Sequence, residues 1–366
     1  MLWLGTYERD YPRNRVLIDG LAQIGVAVAE CHAPLWEGRE HKADGALAPG
    51  RIAALALAAG GAWASVLRRQ AALPRPAALV AGYPSQPDAP IVLAVARARR
   101  VPLVVDAMIA LSDAMADRGR AGRAAAALAL LDRLAFRHAD LVVADTEANA
   151  RWLTERFSLP PERVAAVPVG ADPVVFAPAP EPEGPPRMLF VGKLAPLHGI
   201  DVVLAAARRP GAPALRIIGD GQLGPWLAAE LRRAPPPGVE HVPWVPFREL
   251  GDEVRAAGIC LGVFGASERV GRVVPNKVWQ AMAAGRAIVT ADGPAPREVL
   301  RDGVDALLVP AADPAALADA VERLAADPAL RARLGASARA RYLELGAPAA
   351  VARTFATALA RRTRRG

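Results

Sequence analysis

Short apolar runs of strand character alternate with helical stretches from one end of the chain to the other, and that alternation admits few folds. LWLG near the start precedes the helical VLIDGLAQIG, and VAVAECH follows it. Next come a helical run over residues 53–69, the strand-like AALVAGY, the helical APIVLAVARARR and the strand-like PLVVDA. A long Ala/Arg helical region leads to DLVVADT, then to the helical EANARWLTERF and the strand-like RVAAVPVG. Apolar strands each followed by a crossover helix belong in a parallel sheet covered on both faces. At residues 177–186 the pattern stops, because APAPEPEGPP places five prolines in ten residues and continues neither element. Beyond it the alternation restarts with RMLFVG and runs through LRIIG, VEHVPWV, ICLGVF, AIVTA and ALLVP to two closing helices.

The expected fold class is therefore α/β, with two doubly wound Rossmann-like domains facing a cleft. Residues 1–176 form the N-terminal domain, 177–186 a Pro-rich linker and 187–345 the C-terminal domain. Residues 346–366 are left for a C-terminal helix and basic tail able to cross back to the N-terminal domain. Both halves open on a strand running into a glycine turn, LWLGT and LFVGK. In such sheets ligands bind outside the carboxyl ends of the strands, so both turns point toward the site.

Charge and composition narrow the partners. The formal net charge is +8, which suits phosphorylated small molecules, anionic lipid or nucleic acid. Nucleic acid is set aside, since aromatics are 5% of the chain and no zinc-finger or RNA-binding signature is present. Two cysteines, Cys31 and Cys260, build neither a disulfide framework nor a zinc pattern and look structural. A reducing cytoplasm is the natural compartment. The opening MLWLGTYERD lacks a signal peptide's charged region and long apolar core. The most apolar run, residues 52–67, falls short of the roughly 20 residues a membrane span needs and reads as a buried helix, with a membrane-surface segment as the alternative.

Only three lysines stand among forty-two arginines, and two of them occupy comparable places. Lys193 follows Gly192 at the end of MLFVG, and the loop LAPLHG brings His198 and Gly199 to a helix that Asp201 helps to cap. Backbone N–H groups, a positive helix end and an ammonium at one point suit an anion, most simply a phosphate, the alternative being that Lys193 is a solvated loop residue. In GRVVPNKVWQAMAAG, Pro275 is suited to the first helical position, so Asn276 and Lys277 fall in the first turn. The helix dipole disfavours a cation there unless an anion sits with it. Gln280, three residues on, shares a face with Lys277, and Gly285 ends the helix. Two lysine-bearing helix starts on one sheet describe a diphosphate clamp.

The ordered phrases FVGKLAPLHGIDVVLAAA, LRIIGDGQL, VEHVPWVPFRELGDEVRAAGICLGVF and PNKVWQAMAAGRAIVTADGPAPREVL, closing on RARLGASARARY, resemble the donor domain of glycosyltransferase family 4. These are retaining enzymes of the GT-B architecture that use nucleotide-diphosphate sugars. In the first half, DLVVADTEANARWL and VPVGADPVVFAP resemble the end of the family's acceptor domain. The resemblance implies that Lys193 and Lys277 hold the donor diphosphate, with Gly192, His198, Gly199 and Asn276 beside it. The backbone around Val245, Pro246 and Phe247 would meet the base. Gln280 stands where the family has a ribose-binding glutamate, and Arg272 falls on its other glutamate position unless Glu268 reaches in. A neutral amide still bonds a ribose, so Gln280 weakens that contact without abolishing it. The expected reaction is retaining and independent of metal or cofactor, passing a sugar to a glycan or lipid-linked acceptor.

On the acceptor side, Gly5 and Thr6 close the first strand and Asp106 ends another, as a catalytic group or a helix cap. Arg13 and Arg15 lie in YPRNR, either facing a phosphate or in a solvated basic loop. His138 reads as a capping or core histidine. The basic tail ARRTRRG suits a solvated helix end, with peripheral attraction to an anionic membrane at its inner face as the alternative. The departures at Arg272 and Gln280 also admit a catalytically degenerate GT-B subunit that supports a partner enzyme. An epimerase or phosphorylase fits the two-domain plan but not the phrases. A dehydrogenase lacks its G-x-G-x-x-G turn.

Overall fold

The computed structural model describes residues 1–35, 49–119 and 122–363. Contacts divide the chain into two compact units, Met1–Val167 with Ala352–Gly366, and Pro168–Val351. The tail residues 364–366 lie outside the described residues.

The first unit carries β1 (Leu2–Gly5), α1 (Pro12–Gln23), β2 (Ala29–His32), α2 (Pro49–Ala71), β3 (Leu79–Ala81) and α3 (Ala89–Arg99). It continues through β4 (Leu103–Asp106), α4 (Leu111–Asp117), α5 (Arg123–Arg137), β5 (Leu141–Ala144), α6 (Glu147–Phe157) and β6 (Val164–Ala166). Its strands are parallel in the order β2-β1-β3-β4-β5-β6. The central strands are buried along their whole length, as LWLG, LVA, LVVD and LVVA require of a sheet covered on both faces. The Ala/Arg region expected to be one long helix is two, α4 and α5. Gly119 and Gly122, both with positive φ, lie between them.

The second unit runs β7 (Met188–Val191), α7 (Ile200–Ala207), β8 (Leu215–Ile218), α8 (Gly224–Arg233), β9 (Val239–Val242), α9 (Leu250–Ala256), β10 (Ile259–Leu261) and α10 (Asn276–Ala284). β11 (Ala287–Ala291), α11 (Pro294–Val299), β12 (Leu307–Val309), α12 (Pro314–Ala326), α13 (Pro328–Leu345) and α14 (Pro348–Thr363) follow. The sheet is parallel, ordered β12-β11-β10-β7-β8-β9, with Leu189 opposite Cys260 and Phe190 opposite Leu261. Strand order reverses between β7 and β10, the switch point at which such sheets open a crevice. One core gathers Phe190, Ile200, Ile217, Leu261, Val289 and Leu334.

Three helices close the chain rather than two. Asp313 and Asp327 accept hydrogen bonds from the first-turn amides of α12 and α13, and Pro314, Pro328 and Pro348 open the three helices. From Ala352 onward α14 belongs to the first unit, where Phe355 packs on Trp3. The Pro-rich segment is anchored to the second unit. Buried Arg331 pairs with Glu181 at 2.6 Å, and the buried Arg286 donates to the carbonyls of Ala179 and Pro180.

Candidate functional site

The site begins with backbone that only glycine permits. Gly192 ends β7 at φ 140°, and Gly219, after β8, stacks on it so closely that a Cβ there would overlap the Gly192 carbonyl. Gly199 holds φ 65°, and a Cβ on it would come within 2.5 Å of the Phe264 carbonyl carbon. This close approach lets Phe264 N–H donate to His198 O and Gly265 N–H to Leu197 O. The loop after β7 and the segment after β10 are thereby locked together across the switch point. Gly199, and not Asp201, is the N-cap of α7.

Lys277 and His198 converge on this floor. A Cβ at Gly192 would lie 3.3 Å from His198 Cε1, from Lys277 Cε and from Lys277 Nζ. Lys277 is the second residue of α10, one position nearer the helix start than expected, because Pro275 is the N-cap and Asn276 the first helical residue. Its Nζ sits 3.7 Å from the centre of the Phe190 ring, shut off from solvent. Among the described residues it has no hydrogen-bond partner. Burial holds the Lys277 ammonium well below its ordinary pKa. His198 is lowered too, by burial first and then by the charges of Lys277 and Arg269. The ring hydrogen-bonds the Lys193 backbone, while Nδ1 is buried with no partner among the described residues. The charges acting on His198, those of Lys277, Arg269 and Lys193, are all cationic. Cationic groups clustered in this way are electrostatically costly to bury, and an anion would relieve that cost.

Gln280 lies one turn beyond Lys277, buried, and the two line one small cavity with Leu189, Val191 and Cys260. Lys193 is exposed at the mouth of its loop. Arg272 is half-buried in the 3-10 turn Glu268–Arg272 that leads into α10, whereas Glu268 is exposed. Val245 and Pro246 are half-buried after β9, which lies two strands from β7, roughly 10 Å across the sheet. Beside them Phe247 packs edge-on against Phe176. Sequence reading does not single out Arg269 or Phe190. The one legible signal is an aromatic amid the aliphatics of MLFV.

In the first unit the expected residues are committed to each other. Gly5 adopts φ 140°, where a Cβ would collide with the Asp88 carboxylate. Thr6 donates to that carboxylate twice, from its amide at 2.5 Å and its hydroxyl at 2.8 Å. Burial raises Asp88 to about 6. Arg13 lies in neither a solvated loop nor an open phosphate site. It is fully buried in α1, pairing with Asp106 Oδ2 at 2.7 Å and donating to Val167 O at 2.6 Å. The other Asp106 oxygen accepts from the Met108 amide. Arg15 pairs with Asp19 and Glu30, and His138 is the exposed C-cap of α5. Cys31 and Cys260 are free and buried.

Two doubly wound parallel units, the second offering buried unpaired nitrogens at its switch point, have the fold of the GT-B class. Each half of the chain matches a glycosyltransferase family domain. Residues 7–170 match the glycosyl transferase 4-like domain, and residues 185–327 match glycosyl transferases group 1. The D-inositol 3-phosphate glycosyltransferase of Thermobispora bispora is 33% identical over 240 residues, 59% of this chain and 54% of the relative. That of Xylanimonas cellulosilytica is 33% identical over 251 residues, 62% of this chain and 59% of the relative. The matches thus span a little over half the length of these relatives. Anabaena Alr3699/HepE in complex with UDP-glucose shares the fold with a TM-score of 0.69 at 15% identity, over 98% of both chains. Sucrose-phosphate synthase from Thermosynechococcus elongatus does so at 0.72 and 15%, over 100% of this chain and 99% of the other. No helix among the described residues is long and apolar enough to cross a membrane.

Proposed function

We propose that this chain transfers a sugar, with retention, from a nucleotide-diphosphate sugar to a glycan or lipid-linked acceptor. The reaction uses neither metal nor further cofactor. The observation that carries this reading is the buried Lys277 Nζ beside Gly192 and His198 at the start of α10, without a hydrogen-bond partner among the described residues. Lys277 and Lys193 hold the diphosphate, with the amides at Gly199 and Asn276 beside it, and Gln280 reaches the ribose. Val245 and Pro246 flank the base. When the anomeric carbon separates from the diphosphate oxygen, the electron pair leaves with the nucleoside diphosphate. The two lysines stabilise that charge as it develops. The acceptor hydroxyl then bonds to the anomeric carbon, and its proton passes to the departing diphosphate oxygen. Peripheral contact with an anionic membrane from the cytoplasmic side accompanies the lipid-linked version of this chemistry.

Calorimetric titration with UDP, GDP and ADP, with and without EDTA, tests the reading. Binding of one nucleotide, indifferent to EDTA and lost in Lys277→Ala, is the expected result. UDP comes first because structurally similar proteins are solved with UDP and UDP-glucose. The neutral Gln280 and cationic Arg272 favour a second reading, a degenerate subunit that supports a partner enzyme. It predicts weak or no nucleotide-sugar binding by this chain, and sugar transfer by the purified protein excludes it.

A further inference from the structure

The net positive charge belongs entirely to one unit. Across Met1–Val167 and Ala352–Gly366 the sequence holds 25 Arg and Lys against 17 Asp and Glu, whereas Pro168–Val351 holds 20 against 20. Within the first unit, α5 concentrates this charge beside exposed apolar surface. Arg123, Ala126, Ala127, Leu130, Arg133, Leu134 and Arg137 are exposed, with Leu130 at 58% and Leu134 at 45%. At 3.6 residues per turn they share roughly 120° of arc along about 21 Å of helix. The opposite face is buried through Asp132, Ala135 and Phe136, and Asp132 accepts from the amides that open α4. The one carboxylate on α5 is thus turned inward, and the outward face carries none.

We infer that this outward face of α5 is the surface by which the protein lies on an anionic lipid bilayer, its leucines in the acyl boundary and its arginines at the headgroups. An interfacial helix needs exposed aliphatic side chains flanked by cations on a face free of acid. A nucleic-acid surface would instead call for aromatic platforms, and the exposed side chains here are alanine, leucine and arginine. The inference rests on the proposed peripheral membrane contact and moves it from the basic tail to α5. The diphosphate site lies in the other unit, so the two are separable by experiment.

The test is co-sedimentation of the full chain with phosphatidylcholine vesicles, pure or with about 30% phosphatidylglycerol, alongside nucleotide titration of each variant. The wild-type protein is expected to pellet with the anionic vesicles and to be released by salt. Leu130→Glu/Leu134→Glu is expected to lower the bound fraction by about tenfold, since a buried carboxylate opposes both insertion and surface potential. The milder Arg133→Gln/Arg137→Gln variant should bind less at physiological salt. Arg361→Gln/Arg362→Gln on the tail and Leu343→Glu in the second unit should pellet like wild type. A wild-type chain that stays in the supernatant with anionic vesicles overturns the inference. So does an α5 double variant that pellets normally, or loss of binding confined to the tail variant. Failure of nucleotide binding with vesicle binding intact overturns the donor reading alone.

Discussion

Lys277 Nζ stands 3.7 Å above the ring of Phe190, at the carboxyl end of β7. The ring face gives the ammonium weak electrostatic support, but it supplies no hydrogen-bond acceptor. A charged amine in that position needs an acceptor that the ring does not supply.

Replacing Lys277 with Met keeps the aliphatic stem over Phe190 and removes the charge. Truncating one side of a buried charge pair costs about 2–5 kcal/mol, so nucleoside diphosphate affinity should fall at least ~30-fold. Calorimetry on a variant with unchanged circular dichroism reads this directly. A near-normal affinity would remove Lys277 from the clamp.

Protonation of Lys277 should be linked to binding. Burial depresses its pKa from the ordinary 10.5, and a bound diphosphate favours the charged form again. Binding then takes up a proton, and affinity declines as pH rises through the pKa of the bound state. The measured enthalpy should vary with the ionisation enthalpy of the buffer, a dependence that Lys277→Met lacks. Stability of the unliganded protein runs the other way. The unfolded chain binds the proton that the folded site excludes, so stability rises with pH between the depressed value and 10.5. Lys277→Met should therefore melt higher than wild type at neutral pH without nucleotide. An unchanged or lower melting temperature would count against the depressed lysine.

Gln280→Glu should tighten nucleoside diphosphate binding. Hydrogen bonds to an ionised acceptor are roughly twice as strong as neutral ones, a gain of about 1 kcal/mol or ~5-fold. Comparing affinity for the nucleoside diphosphate with that for inorganic diphosphate separates ribose contact from a general charge effect. Equal changes for both ligands would show that Gln280 does not meet the ribose.

Asp106→Asn tests whether Asp106 serves chemistry or the fold. Arg13 and Asp106 are buried together at 2.7 Å, and leaving one charge unpaired costs about 3–5 kcal/mol. Thermal denaturation should show a large loss of stability, with nucleotide affinity unchanged in the folded fraction. A variant with wild-type melting and no turnover would return Asp106 to a catalytic role.

Much of this protein is written locally. Strands such as LVVD and MLFV are apolar throughout because both faces of a parallel sheet are covered, and that composition reads directly from sequence. Gly192, Gly199 and Lys277 were visible for the same reason, since a turn after a strand and a helix start are short-range features. The extra break between α4 and α5 and the third closing helix are local too, but short helices differ little from one long one in periodicity.

Tertiary packing decided the rest. Arg13 and Asp106 are 93 positions apart and meet only because α1 lies where β4 ends, so a loop-like YPRNR became a buried ion pair. Arg269 and Phe190 enter the site through the reversal of strand order between β7 and β10, which no sequence window spans. The same holds for the partnerless Nζ of Lys277. Sequence placed a cation at a helix start, and only the folded sheet removed the water that would have solvated it.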